Sequence, residues 1–200
     1  MVGKMFGLSD DRATQLRVAF GLQLREAAAS ASENFDELFD HLARNFLLDT
    51  FARAGADEGT VWLLDAGRKE LVPVYNSGPR AKEFVGTFKQ SLRSGMISMV
   101  VATEQPICEN EVYKNERQDK EVDRKLGLRT CAMIAVPLVF SGELRGVISC
   151  VQVRPGNSAD PDPPGFTQEN LLEILLASSL LGRLLEGRLL AHCLGFTPIS

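Results

Sequence analysis

Apolar positions in the first quarter of the chain recur at helical spacing. Ala13, Leu16, Phe20, Leu24 and Ala27 form one stripe. Ser9, followed by Asp10 and Asp11, fits the cap and first turn of that helix. The small-residue run over 27–32 predicts a break. Asn34 and Glu37 are spaced as a capping box. Phe35, Leu38, Phe39, Leu42 and Phe46 then keep helical spacing, which predicts a second amphipathic helix.

Beyond Gly55 the period changes. Residues 60–65 and 70–75 read as two strands of a hairpin joined by Ala66-Gly67-Arg68. Pro73 cannot donate to a ladder, so its strand is expected at an edge or at a bulge. Residues 84–88 predict a third, short strand. Met96, Met99, Val100 and Thr103 align as a helix over 95–103, and 106–108 predicts another strand. The segment 104–125 is dense in charge. Such a run is ordinarily a solvated face, but a long polar connection can also cover a binding site. Residues 120–126 predict a short helix stopped by Gly127.

Two β-rich runs, 130–140 and 144–153, form a hairpin through Ser141-Gly142-Glu143. Four prolines in 155–165 end the sheet. Thr167 then caps a long helix to about residue 190. Leu171, Ile174, Leu175, Ser178, Leu181, Leu185 and Leu189 make one stripe, and Leu172, Leu176, Leu180, Leu184 and Leu190 extend well beyond it. That width exceeds what one sheet face covers. A second helix is required, either the N-terminal one or that of a second subunit, and a homodimer is the economical solution.

Composition narrows the class. The chain has 200 residues, 44% hydrophobic, with a net charge of -4, which fits one soluble domain and argues against nucleic-acid binding by bulk charge. No apolar run approaches the roughly 20 residues of a membrane helix, and the start carries no signal-peptide pattern. A cytoplasmic protein is expected. Cys108, Cys131, Cys150 and Cys193 contain no Cys-x-x-Cys spacing, and the first three, in apolar strand-like contexts, read as small buried hydrophobes. A sharper alternative pairs Cys131 with Cys150 across the hairpin as a redox-responsive disulfide. Phosphate-loop, zincin and hydrolase motifs are absent. The two histidines, His41 and His192, fall on helices without aligned partners. No enzyme and no cofactor are expected.

Three stretches carry a family resemblance. Gly95 leads a helix that ends in Glu104-Gln105-Pro106-Ile107. Leu126-Gly127-Leu128 leads into Ala135-Val136-Pro137-Leu138. Gly142 then precedes Gly146-Val147-Ile148. In that order they resemble the GAF domain, over roughly residues 33–190. The resemblance implies an α+β fold: a GAF/PAS-like central antiparallel β-sheet of about six strands flanked by N- and C-terminal helices. It divides the chain into an N-terminal helix for dimerisation or packing (1–32), the domain itself (33–190, with its C-terminal helix over 167–190) and a tail (191–200).

Particular subfamilies fit poorly. The chain has no Asn-Lys dipeptide of the cyclic-GMP binders and no Cys-His of the bilin binders. The catalytic cysteines of the free methionine-sulfoxide reductases are missing. Cys131 lies two residues before the cysteine position of the iron-bearing nitric-oxide sensors, with Asp119 and Asp123 nearby, and a buried apolar Cys is the simpler reading.

If strand 130–140 follows the family, alternation points Cys131, Met133 and Ala135 to the ligand side and Ala132, Ile134 and Val136 to the helices. Tyr75, Phe88, Ile97, Val100 and Cys108 are candidate pocket walls. Asn110, Arg124, Arg129 and Thr130 are candidate polar contacts. The expected function is a non-enzymatic sensory or regulatory module that binds a small molecule and signals through its dimer helices to an output protein. The alternative is a ligand-free scaffold for dimerisation or protein interaction, which Ser98 and Asn110, standing where the family commonly has Gly and Asp, favour slightly.

Overall fold

A computed structural model describes residues 10–118 and 120–196. Ser9 and Asp119, to which the sequence assigned a cap and a nearby carboxylate, lie outside the described residues. Helices α1 (Asp10–Ala29), α2 (Phe35–Leu38) and α3 (His41–Arg53) precede strands β1 (Glu58–Leu64) and β2 (Glu70–Asn76). Helix α4 (Ala81–Phe84), β3 (Gln90–Ser91), α5 (Met96–Thr103), β4 (Ile107–Glu109) and α6 (Glu121–Leu126) follow. The long hairpin β5 (Leu128–Phe140) and β6 (Glu143–Pro155) and the helix α7 (Gln168–Cys193) complete the chain. The six strands form one antiparallel sheet in the order β3-β2-β1-β6-β5-β4.

The β5–β6 hairpin closes through Ser141 and Gly142, both at positive φ (53° and 76°), the pair of angles that matches the twist of the flanking strands. Alternation then sorts the sheet. Val61, Leu63, Ala132, Ile134, Val136 and Ile148 face the core made with α2, α3 and α7. Trp62, Leu64, Ala135 and Val147 face the opposite side, against Phe84, Phe88, Ile97 and Val100.

Helix α7 begins as expected. The Thr167 side chain accepts from Asn170 N at 3.3 Å, and Asn170 Oδ1 accepts from Thr167 N at 2.9 Å, a reciprocal capping box. Against β5 it is held by the Ser178 hydroxyl, which donates to the Pro137 carbonyl at 2.7 Å.

Two sequence expectations need correction. Residues 35–46 do not form one helix. The chain breaks at Phe39, and the Asp40 side chain, accepting from Ala43 N at 2.9 Å, caps a new helix. The break turns Phe39 into the core, where its ring lies 4.7 Å from that of Phe35 and 4.9 Å from that of Tyr75. Arg188 of α7 binds both sides of the break, donating to the Leu38 carbonyl and the Asp40 carboxylate. Residues 84–88 are not a strand either. Phe88 N donates to Phe84 O at 3.1 Å in a helical turn, so both rings point inward and stack at 5.3 Å beside Trp62. The short strand starts at Gln90 and reaches only Glu70 and Leu71 of β2. Pro73 therefore lies beyond that pairing, opposite Trp62 next to a bulge.

Candidate functional site

On the face of the sheet opposite α7 lies a cavity of about 100 Å³, room for several waters or one compact organic molecule. Its floor comes from alternate residues of three strands: Glu58 and Thr60 of β1, Ser149 and Val151 of β6, Thr130 and Met133 of β5. Trp62 and Phe84 form an apolar end wall. The roof is assembled from separate pieces: Arg80, Gln90, the start of α5 at Gly95–Ile97, Gln118, and the α6 side chains Val122, Asp123 and Leu126.

A bulge sets the β5 part of the floor. Thr130 pairs with Val153 and Met133 with Val151, while the ladder shifts between Thr130 and Ala132. Thr130 and Met133 thus share a face although three residues apart, and Cys131 is the inserted residue.

Most polar groups around the cavity are held by the protein itself. Asp123 Oδ2 accepts from Thr130 N at 2.9 Å and from Gln118 Nε2 at 2.8 Å, and its Oδ1 accepts from the Thr130 hydroxyl at 2.7 Å. Trp62 Nε1 donates to Ser149 Oγ at 2.9 Å, and Asn76 Nδ2 to Thr60 Oγ1 at 2.9 Å. Arg80 grips the Glu83 carboxylate with two N–H groups and donates to the Leu126 carbonyl at 2.6 Å, tying the α4 segment to the end of α6. Glu58 is half-buried. Burial pushes its carboxyl above the usual carboxylate range, and neighbouring Asp57 pushes the same way, against Asn76 and Arg80.

Comparison with known proteins assigns this architecture. The sequence profile of the GAF domain family matches residues 11–186. The chain belongs to the GAF domain family. No curated protein matches the chain. Among solved structures it is similar to the GAF domain of the Coxiella burnetii phosphoenolpyruvate-protein phosphotransferase, with TM-score 0.61, 17% identity, and coverage of 88% of this chain and 98% of that one. The corresponding Acinetobacter domain gives 0.57 at 18% identity, covering 94% and 99%. The GAF-B domain of DevS from Mycobacterium smegmatis gives 0.54 at 19%, covering 74% and 90%. At these identities the likeness establishes the fold, and GAF domains as a family are sensory and regulatory modules.

Within this GAF domain the residues singled out from sequence separate into three places. Ile97, Thr130 and Met133 line the cavity. Phe88 and Val100 sit in the apolar cluster behind it, packed with Trp62 and Ala135. The other six lie elsewhere. Tyr75 and Cys108 belong to the core on the helix side, because strand alternation turns them away from the cavity. Asn110 clamps the entry to α7, accepting from Phe166 N at 2.7 Å and donating to Phe166 O at 3.0 Å. Arg124 is exposed on α6, its Nε turned back to Lys120 O at 3.3 Å.

Arg129 and Cys131 meet Asp162 of the proline-rich connection instead. Arg129 Nη2 lies 2.6 Å from Asp162 Oδ1, Cys131 Sγ 3.7 Å from the same oxygen, and the Tyr113 hydroxyl donates to Asp162 Oδ2 at 2.7 Å. The Tyr113 hydroxyl and then the Arg129 guanidinium hold the Asp162 carboxyl below its usual range.

The disulfide idea fails on register. Cys150 lies opposite Ile134, three residues along from Cys131, and all four cysteines are free. Burial pushes the Cys150 thiol up to about 12. Sequence reading missed Glu58, Thr60, Arg80 and Gln118. The alternation Glu58, Thr60, Trp62, Leu64 along β1 was a usable signal for the first two.

Proposed function

We propose that this GAF domain is a non-enzymatic regulatory module. A small molecule occupies the cavity on one face of the sheet, and the helices on the other face, paired with those of a second copy, carry the response to an output protein. The observation that carries this reading is the cavity itself: apolar walls, oriented polar groups and a roof built from separate segments. Ser149 faces the cavity between Ile148 and Cys150, which face the helix core, so strand β6 touches both compartments. A ligand that favours one packing of roof and sheet shifts the helices accordingly. The hydroxyls of Thr130 and Ser149 already engage neighbouring side chains, which supports a binding role for them.

The outward row of α7 supports the homodimer. Leu172 (64% exposed), Leu176 (61%) and Leu180 (46%) run along it, with Glu169 at one end and Arg183 at the other. The row is self-complementary. Antiparallel pairing about a two-fold axis at Leu176 sets Leu172 against Leu180 and Glu169 against Arg183 of the second copy. Four free thiols support a reducing, cytoplasmic setting. Among the described residues no helix is long and apolar enough to cross a membrane. A second reading, a ligand-free scaffold, draws support from Leu16, Val18 and Leu22, which leave α1 with an apolar exposed surface that ligand sensing does not need.

The single Trp62 lines the cavity and reports on it. Native mass spectrometry of protein from its own host is expected to show a retained small molecule, and stripping it is expected to shift Trp62 emission. An unadorned mass with unchanged emission favours the scaffold. In sedimentation velocity the wild type is expected to run as a dimer and Leu176→Glu as a monomer. Glu169→Arg should weaken pairing and Glu169→Arg with Arg183→Glu should restore it. A monomeric wild type at the highest soluble concentration refutes the pairing.

A further inference from the structure

Two acceptors at the cavity, Gln118 Oε1 and the Glu58 carboxylate, have lone pairs to offer. Asp123 Oδ2 accepts from Gln118 Nε2 at 2.8 Å. A carboxylate only accepts, so the end of Gln118 facing it must be the amide NH2 group. That fixes Oε1 as the opposite end, and this oxygen is buried without a partner among the described residues. Asp123 cannot swing away to relieve it, because Thr130 N and the Thr130 hydroxyl hold both its oxygens.

Glu58 supplies the second acceptor. Its carboxylate is seated on bare backbone, where a Cβ on Gly78 would come 2.3 Å from Glu58 Cδ. It holds no salt bridge among the described residues, since the nearby Arg80 is engaged by Glu83 and the Leu126 carbonyl. The Asn76 amide, which also donates to Thr60, gives it one hydrogen bond, and Trp62 Nε1 is taken by Ser149, so the carboxylate keeps lone pairs to spare. Between the two acceptors the walls are apolar, with Trp62, Phe84, Met96, Ile97 and Met133.

We propose that the cavity selects a compact organic cation, an apolar body bearing an amine or amidine whose N–H groups meet Gln118 Oε1 and the Glu58 carboxylate. This rests on the small-molecule reading above and names the ligand class for it. A buried acceptor and a half-buried anion repel a carboxylate or phosphate head and leave a neutral head with weaker bonds, whereas hydrogen bonds with one ionised partner are the stronger kind. The net charge of -4 adds a favourable field for a cation.

Three probes share one body and differ in the head: benzylamine, benzyl alcohol and benzoate. Titrated at neutral pH and followed by Trp62 emission and by the Trp62 indole N–H resonance, they should bind in that order. The amine should bind about tenfold or more tightly than benzoate. Glu58→Gln should collapse the preference for amine over alcohol while alcohol binding persists. Gln118→Met should weaken amine and alcohol together. A thermal melt of each variant confirms folding. Binding in which benzoate equals or exceeds benzylamine overturns the cation assignment and leaves the cavity reading intact. If none of the three moves either Trp62 signal up to its solubility limit, the small-molecule reading itself falls.

Discussion

Replacing Gly182 by alanine should destabilise this domain, although alanine is the better helix former. A Cβ on Gly182 would lie 2.2 Å from the Val139 carbonyl oxygen, more than 1 Å inside the 3.4 Å at which ordinary contact begins. The clashing atom is backbone of β5 and cannot rotate aside. One turn earlier, Ser178 pins the same helix to the Pro137 carbonyl, so α7 has to lift or tilt. Leu181 and Leu185, both fully buried beside the contact, would then lose packing. Overpacking of this kind costs roughly 1–3 kcal/mol, and removing a helix glycine returns about 1 kcal/mol at most. The net expectation is a loss of about 1–2 kcal/mol, or roughly 2–8 °C in Tm for a chain of this size.

Gly187 in the same helix is the control. Nothing lies within 4 Å of its virtual Cβ, so Gly187→Ala should stabilise by about 0.5–1 kcal/mol. Urea unfolding followed by helical circular dichroism, at one protein concentration so that association is held constant, gives both values. If Gly182→Ala is as stabilising as Gly187→Ala, the close seam between α7 and β5 is not as described, and coupling of the sheet to that helix loses its basis.

Asp40→Ala removes the α3 cap and strands Arg188, and should cost about 1–2 kcal/mol at neutral pH in the same urea assay. The Arg188 hydrogen bond holds the Asp40 carboxyl below its usual range, so its contribution is present above the ordinary carboxylate pKa and lost as pH falls through the lowered folded one. The gap between wild type and variant should therefore narrow in acid. Glu58 has the opposite sign. Burial raises its folded pKa, with Asp57 acting the same way and Asn76 and Arg80 opposing. The folded state holds that proton longer, so wild-type stability drops as pH rises from the ordinary carboxylate range through the raised pKa. Glu58→Gln should be more stable than wild type at neutral pH and no more stable below that range. Equal unfolding midpoints across the whole range would falsify the burial of this carboxyl.

Local patterns were legible wherever neighbours in sequence are neighbours in space. The turn at Ser141-Gly142, the cap at Thr167, the stop at Gly127 and the outward leucines of α7 each depend on a few adjacent residues, and each is found in the structure. The site was less legible. Alternation along 130–140 correctly divided Met133 and Ala135 from Ala132, Ile134 and Val136, but it misplaced Cys131. The bulge that inserts Cys131 is set by pairing with β6, which strand periodicity does not encode. The charge-dense segment 104–125 looked like solvated surface or a lid. It is largely exposed, yet it sends Gln118, Val122 and Asp123 inward to roof the cavity.

By itself, the sequence determined the hairpin, the α+β order of elements and the excess of leucine on the last helix, because these follow from periodicity, caps and turn chemistry, and its motifs at 95–107, 126–138 and 142–148 carried the family resemblance. The tertiary structure decided where the cavity lies and which polar groups serve it. Glu58, Arg80 and the Gln118–Asp123 segment are far apart along the chain and share no local pattern. Only the antiparallel register of β1, β5 and β6, with α4 and α6 closed over it, brings them to one place. The same closure turns Tyr75 and Cys108, apolar candidates by composition, to the other side of the sheet.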